Sequence, residues 1–497
     1  MSTIQVSNLT FAYEGSYDNI FENVTFTMDS TWRLGFTGRN GRGKTTFLRL
    51  LTGELDCRGA INKSVECDYF PFPVTHNTPP RSDCSPQARM TLEVLQAQCP
   101  EAQEWQLMRE LNLLEFNCEA LYRPFDTLSG GERIKGLLAA LFLRENRFLL
   151  IDEPTNHLDA HGRRVLGAYL RRKSGFILVS HDRALLDTCT DHTLSINKTN
   201  IEVIAGNFSS WWAQKQRQDA HELARDDILR KDIKRLTQSA GEKAGWAGNV
   251  EASKIGAHDK GYVGHKSAKM AARAKAIEQR RDREIDEKSK LLHNIEHAGK
   301  LYMHPLQFYM RNLVEFNRVT LAYGENVVCE DLSFTLRQGE RLAVTGKNGS
   351  GKSSVLKAIL REASITTSGA ILLSGQLKIS YVPQDTSGLC GDLSDYARDC
   401  GIDEALFKAS LRKLDFSRTQ FEKDMADFSS GQKKKVLLAR SLCEEAHLFV
   451  WDEPLNFIDV FSRMQVEELL RAYQPTMLFV EHDAAFCAGV ATGEVVL

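Results

Sequence analysis

Two runs in this chain have the residue types and the spacing to grip a polyphosphate. Gly38-Arg39-Asn40-Gly41-Arg42-Gly43-Lys44-Thr45-Thr46 and Gly346-Lys347-Asn348-Gly349-Ser350-Gly351-Lys352-Ser353-Ser354 share the pattern G-x-x-x-x-G-K-[S/T]. In such a run the glycines let backbone N–H groups curl around phosphate oxygens, and the helix that follows adds the positive end of its dipole. Lys44 and Lys352 would reach those oxygens, while Thr45 and Ser353 offer hydroxyls to a Mg²⁺. Downstream, Asp152 and Asp452 end the apolar runs FLLID and LFVWD, the position of a carboxylate in the Mg²⁺ shell. The adjoining Glu153 and Glu453 stand where a general base polarises an attacking water. His181 and His482 follow further apolar runs and are placed to contact a terminal phosphate. This set is suited to hydrolysing a nucleoside triphosphate, once per copy.

The elements that position these residues are themselves repeated. Lys44 recurs as Lys352, Ser129 as Ser429, Asp152 as Asp452 and His181 as His482, at offsets of 308, 300, 300 and 301 residues. Each copy opens on strand-like runs that end in an aromatic, Tyr13 or Tyr323, which either stacks on a base or belongs to the core. A buried strand (RLGFTG, RLAVTG) leads into the Gly-rich turn and then a helical run, the context this motif requires. Helical spacing with few turn residues marks small helical subdomains at about 85–127 and again at about 393–423. The runs FLLI and FILVS have the continuous apolar character of buried parallel strands, with chemistry at their carboxyl ends.

Between the copies lies a segment of different character. From Trp212 to Lys300 there are 20 Lys/Arg and 14 Asp/Glu, a charge of +6, so the rest of a chain of net charge -2 carries -8. The flanks of this segment predict two charged helices with i,i+4 pairs such as Asp226/Arg230 and Glu284/Lys288. Apolar positions at Leu229, Ile233, Leu236 and at Ile285, Leu292, Ile295 predict antiparallel packing of the two helices. Residues 243–276 form a basic tip of charge +5, with Lys243, Lys254, Lys260, Lys266, Lys269, Arg273 and Lys275 against two acids, Glu251 and Asp259. Such a tip either is a solvated spacer or meets a polyanion such as RNA. Trp246 and Tyr262 either stack on a base there or pack the tip's own turn.

The 11 cysteines include no CxxC pair, which argues against a zinc site or a disulfide framework and fits a reducing cytosol. The N-terminus lacks the basic start and apolar core of a signal peptide, and no apolar run approaches the roughly 20 residues that span a bilayer. A cytoplasmic protein that does not cross a membrane by itself is the expectation.

The motif set resembles that of the ABC ATPases, with LSGGE (Leu128–Glu132) and FSSGQ (Phe428–Gln432) as the signature motif and SHD/EHD as the histidine switch. The resemblance implies an α/β chain of two ABC-type P-loop nucleotide-binding domains, 1–210 and 306–497, joined by a long α-helical hairpin linker, 211–305. It further implies a monomer whose two domains close head to tail over two ATPs. One site would combine Lys44, Asp152 and Glu153 with Ser429, Ser430, Gly431 and Gln432. The other would combine Lys352, Asp452 and Glu453 with Ser129, Gly130, Gly131 and Glu132.

ATPase–charged linker–ATPase, with EPTNHLD and PFDTLSGGE, is similar to the ABC-F class of translation factors. The EPLNFID variant and the short length look most like the antibiotic-resistance branch, the Lsa/Vga-type ribosome protection proteins. That branch implies a linker inserted toward the peptidyl-transferase centre beside P-site tRNA, against large-subunit rRNA, dislodging lincosamides, pleuromutilins or streptogramin A. A housekeeping ABC-F factor, or a tandem ATPase subunit of an importer, are the alternatives. Two departures from the family pattern stand out. Gln384, a Mg²⁺- and water-contacting position in YVPQ, is Phe72 in the first copy's YFPF, and Ser430 replaces a signature glycine. Both belong to the first ATP site, which is therefore expected to hydrolyse more slowly.

Overall fold

The structure is a computed structural model and describes residues 2–13, 19–72, 89–156, 158–196, 200–221 and 300–497. The tip residues Lys243, Trp246, Lys254, Lys260, Tyr262, Lys266 and Lys269 lie outside the described residues, as does the hairpin packing expected of 222–299. Ahead of them, residues 208–221 are helical.

Both halves are organised around a parallel sheet. In the first its strands lie in the order Glu66–Phe70, Arg147–Asp152, Phe176–Val179, Arg33–Thr37, His192–Ile196, Ile201–Ala205, and only the last pair is antiparallel. In the second the order is Ile379–Val382, Leu448–Asp452, Met477–Val480, Arg341–Thr345, Gly493–Val496, parallel throughout. The central strands are covered on both faces, so Phe148–Ile151 and Phe176–Val179 are buried without alternation. A three-stranded antiparallel sheet lies beside each, and here the apolar residues do alternate. Ile4 and Val6 face inward; a register shift at Asn8, whose φ is 50°, lets Leu9 and Phe11 face inward as well.

Because the central strands are parallel, their carboxyl ends gather on one edge. Phe36 and Asp152 both pair with Val179, and Asp452 pairs with Val480. Neighbouring strands are about 4.8 Å apart, so the loops beginning at Gly38, Glu153 and Ser180 start side by side. Gly346, Glu453 and Glu481 are gathered likewise. The helices Lys44–Thr52 and Lys352–Ile359 leave this edge and bury Phe47, Leu48 and Leu51, or Val355, Leu356 and Ile359, in cores shared with both sheets.

The helices Thr91–Gln98 and Glu104–Leu113, and their counterparts Leu393–Asp399 and Glu404–Lys413, precede the longer helices Gly130–Leu141 and Ser430–Cys443. Ser129 and Ser429 cap those last two. Each hydroxyl accepts from the N–H three residues on, while Glu132 or Gln432 accepts from the serine's own N–H at 2.9 or 2.8 Å. Among the described residues no helix is long and apolar enough to cross a membrane.

Candidate active site

The Gly-rich loops fold as their sequence demands. Gly41, Gly43, Gly349 and Gly351 have φ of 80°, 93°, 82° and 90°, a region other residues avoid. A Cβ at Gly43 would stand 2.5 Å from Ile20, and one at Gly351 2.6 Å from Val328. Lys44 Nζ donates to the carbonyls of Gly38 (2.6 Å) and Arg39 (3.3 Å); Lys352 Nζ donates to those of Gly346 (3.0 Å) and Lys347 (2.8 Å). Burial holds both ammonium groups below their ordinary pKa, against the pull of the carboxylates around them. The tyrosines are not core residues. Tyr13 is 45% exposed and Tyr323 37%, and their hydroxyls sit 2.9 Å from Thr46 Oγ1 and 3.2 Å from Ser354 Oγ.

The carboxylates differ between the copies. Asp152 Oδ2 accepts from Thr45 Oγ1 (2.8 Å) and also from the Tyr69 hydroxyl (3.0 Å). Asp452 is 1% exposed and takes a hydrogen bond from Ser353, and its Oδ1 is buried with no partner among the described residues. Burial raises the Asp452 pKa, which Ser353 only partly offsets. A hydroxyl beside a carboxylate is a hard-oxygen set that fits Mg²⁺, and the orphaned Asp452 oxygen is suited to a cation. Thr45 with Asp152, and Ser353 with Asp452, are the residues that would hold it.

Glu153 and Glu453 follow their aspartates in left-handed backbone, φ 50° and 46°. That conformation costs on the order of 1–3 kcal/mol in a non-glycine residue. It is fixed by bonds from their N–H groups to Val179 O (2.9 Å) and Val480 O (3.0 Å). The turn aims both side chains at a histidine: Glu153 Oε1 is 3.2 Å from His181 Nε2, and Glu453 Oε1 is 3.3 Å from His482 Nε2. Glu453 also accepts from Gln384 Nε2 at 2.9 Å and from the Asn456 amide. Gln384 is thus committed to Glu453. Burial alone would raise the Glu453 pKa, but the bonds from His482 and Gln384 and the charge of Lys434 hold it below the ordinary value. With Phe72 in place of a glutamine the first copy has no such amide. Burial, and then the charge of Asp152, push Glu153 up to about 8, while burial and Lys44 hold His181 well below its ordinary value.

The halves meet head to tail. On the first side Asn40 Nδ2 donates to Phe457 O at 2.8 Å, and a Cβ at Gly431 would lie 2.5 Å from that oxygen and 3.5 Å from Asn40 Nδ2. Ser429–Gln432 therefore lies against the Gly38–Thr46 loop. Asp459, Lys435 and Arg463 of the second half act on the charges of Lys44, His181 or Glu153. On the second side a cavity of about 880 Å³ separates the partners. One wall is Asn348, Gly349, Gly351, Lys352, Ser353 and Ser354, with Gln384, Glu453 and His482 behind; the other is Ser129, Gly130, Gly131 and Glu132. Tyr323, Gly346, Lys347, Ser350 and Asp452 do not line it. Tyr69 and Asn456 escaped the sequence reading. Asn456 had a signal, since it recurs with Asn156 in the repeated EPTN/EPLN; Tyr69 had none, since Tyr381 matches it without the same bond.

A family model described as ABC transporter matches residues 21–156 and 329–456. The ribosome protection protein VmlR of Bacillus subtilis is 27% identical over 98% of this chain and 85% of its own length. The ATP-binding protein Uup of Caulobacter vibrioides is 28% identical over 96% of this chain and 74% of its own. The probable ATP-binding protein YbiT of Escherichia coli O157:H7 is 27% identical, over 98% and 94%. Among solved structures, an archaeal ribosome recycling factor in complex with a ribosomal stalk protein superposes with a TM-score of 0.63 at 19% identity, covering 98% of this chain and 87% of that one. A structure titled RNase-L Inhibitor gives a TM-score of 0.63 at 19%, covering 99% and 87%. At that identity the likeness is one of fold.

Proposed function

We propose that this chain, which belongs to the ABC transporter family and to its ABC-F class of tandem ATPases, uses ATP to govern how segment 211–305 engages the ribosome. Each ATP would lie between the Gly-rich loop of one half and the signature serine and glycines of the other, within a single chain. Tyr13 and Tyr323 offer ring faces to adenine, and Lys44 or Lys352 trades its loop carbonyls for phosphate oxygens. Mg²⁺, held by Thr45 and Asp152 or by Ser353 and Asp452, would neutralise charge on the phosphates. Glu453, oriented by Gln384, His482 and Asn456, accepts the proton of the attacking water. Each signature serine completes its site from the opposite half, so hydrolysis can be coupled to a movement between the halves.

The observation that carries the ribosomal reading is the alignment with VmlR over 98% of the chain. It is joined by the +5 balance of residues 243–276, suited to rRNA and tRNA phosphates. The linker would enter the large subunit beside P-site tRNA and displace drugs bound at the peptidyl-transferase centre: lincosamides, pleuromutilins, streptogramin A. A housekeeping ABC-F role in the cytoplasm is the second reading, favoured by the 28% identity to the ATP-binding protein Uup. Sedimentation of ribosomes with the Glu153→Gln/Glu453→Gln protein and ATP tests the first step, and absence from the ribosome pellet would overturn it. Drug susceptibility with and without the gene then separates the readings. Deleting 243–276 is expected to abolish protection while sparing ATP hydrolysis.

A further inference from the structure

The interface between the halves differs from one side to the other at contacts the fold duplicates. On the first side Arg39 and Arg42 stand 3.7 and 3.8 Å from Asp415, and the Arg39 guanidinium lies over the Phe461 ring, 5.9 Å from its centre. The repeat offsets put Lys347, Ser350, Glu115 and His161 at those positions on the second side. There Glu115 is engaged by His161 of its own half, at 2.7 Å. Farther along, Arg183 Nη2 donates across the first side to Glu467 at 2.5 Å, and Arg471 braces the same carboxylate at 2.7 Å. The second-side counterparts of Arg183 and Glu467 are Ala484 and Gly167, which carry no charge and both line a cavity of about 690 Å³.

We infer that the first side is a standing hinge: the Arg39/Arg42–Asp415 and Arg183–Glu467 contacts keep it mated through the ATP cycle, and the halves open and close at the second side. These contacts are made by the protein's own side chains and need no phosphate between them. The Arg183 and Glu467 side chains are only 15% and 8% exposed, so salt screens the pair weakly. Phe457, in left-handed backbone at φ 63°, turns its carbonyl to Asn40, and Gly431 is the one residue type that leaves room for it. On the second side, by contrast, Lys352 and Ser129 face each other across the 880 Å³ cavity, and a triphosphate is what would draw them together. The 690 Å³ cavity lies on that same side, as a gap that widens away from a hinge would require.

The inference rests on the tandem ATPase architecture and not on the ribosome, so it is tested on the purified protein. Paired fluorophores go at Glu54 and Arg412 for the first side and at Glu362 and Asn112 for the second, all exposed positions. They are introduced as unnatural amino acids, because the chain has 11 cysteines. In the Glu153→Gln/Glu453→Gln protein, Mg-ATP is expected to raise energy transfer in the second pair and leave the first unchanged. A first-pair change as large as the second would overturn the hinge. Adding Asp415→Ala and Glu467→Ala should make the first pair ATP-responsive, and the full swap Arg183→Glu/Glu467→Arg/Arg471→Glu on an intact Asp415 should silence it. Circular dichroism establishes that each variant is folded, and Asp415→Asn alone replaces the double alanine variant if that one is not. A folded latch variant whose first pair stays silent would show that these residues are not the hinge.

Discussion

The two ATP sites use the same motifs on the corresponding edges of two sheets, yet their surroundings are not the same. At the second, Glu453 is oriented by Gln384, His482 and Asn456, and a cavity of about 880 Å³ lies in front of it. At the first, Glu153 has His181 but no glutamine, Tyr69 shares Asp152 with Thr45, and the opposing half is engaged directly through Asn40 and Asp415. The two copies share the Gly-rich loops and the paired carboxylates and differ in the residues around them. The first side holds the direct contacts between halves, and the second holds a glutamate oriented by an amide.

The largest effect expected from this contrast is on turnover. Removing a general base costs its site about 10²–10⁴-fold. Glu453→Gln should therefore bring steady-state ATP hydrolysis down to the small share the first side supplies, whereas Glu153→Gln should leave most of it. Equal residual rates in the two single variants would break the comparison.

Stability should divide along the same line. Asp459 is fully buried, caps the helix Val460–Tyr473 through the Ser462 N–H at 2.9 Å, and pairs with Lys435 at 3.0 Å. Asp159, its counterpart, makes a similar cap to Gly162 at 2.8 Å but is only partly buried, on the cavity wall. Asp459→Ala strands a buried ammonium and should cost about 3–5 kcal/mol; Asp159→Ala should cost about 1 kcal/mol, the worth of a cap. Denaturant midpoints measure both. Burial works to raise the Asp459 pKa, but Lys435 and the Ser462 N–H outweigh it and hold the group below its ordinary value. A depressed carboxylate contributes stability above the ordinary range near pH 4 and loses it as the pH falls further. Asp459→Asn should flatten that acid slope, and an unchanged slope would mean the pair with Lys435 adds nothing.

How much of this was legible beforehand follows from the physics of each signal. The placement of the Gly-rich loops, the aspartates and the glutamates was readable because each is a residue type at a fixed spacing from a strand end. The head-to-tail pairing came only from the family resemblance, since nothing local to Ser429 says which loop it faces. Phe72 marked the difference at the first site as a missing glutamine, but the tyrosine that bonds Asp152 in that site carried no mark. Tyr69 and Tyr381 are the same residue in the same motif, and only their surroundings differ. The contacts of Arg39, Arg42 and Arg183 were invisible for a related reason: their partners are 284 to 376 residues away and share no motif with them.

Packing at the first side offers a finer probe. Gly431→Ala forces a methyl to within 2.5 Å of Phe457 O, a backbone atom that cannot swing aside. Overpacking of this kind costs about 1–3 kcal/mol, and here it falls on the contact between halves. The expected result is a first fluorophore pair that separates, with little change in the second. A shift confined to the second pair would mean that Gly431 does not belong to the first side's contact.

The smallest effect is the most discriminating. Tyr69→Phe removes one hydrogen bond to Asp152 Oδ2 and leaves the Thr45 bond in place, a loss of about 1 kcal/mol or roughly fivefold. It should appear in the Glu453→Gln background, where only the first site turns over, and as weaker Mn²⁺ binding measured by electron paramagnetic resonance at that site. Tyr381→Phe in the Glu153→Gln background should do less, because Asp452 takes its hydrogen bond from Ser353. If Tyr69→Phe instead leaves Mn²⁺ affinity unchanged, the tyrosine merely fills space beside Asp152. Phe72→Gln in the same background completes the test. A first site made faster by the restored amide would locate the difference between the sites in the orientation of the base, and one left unchanged would locate it in the tightness of the interface.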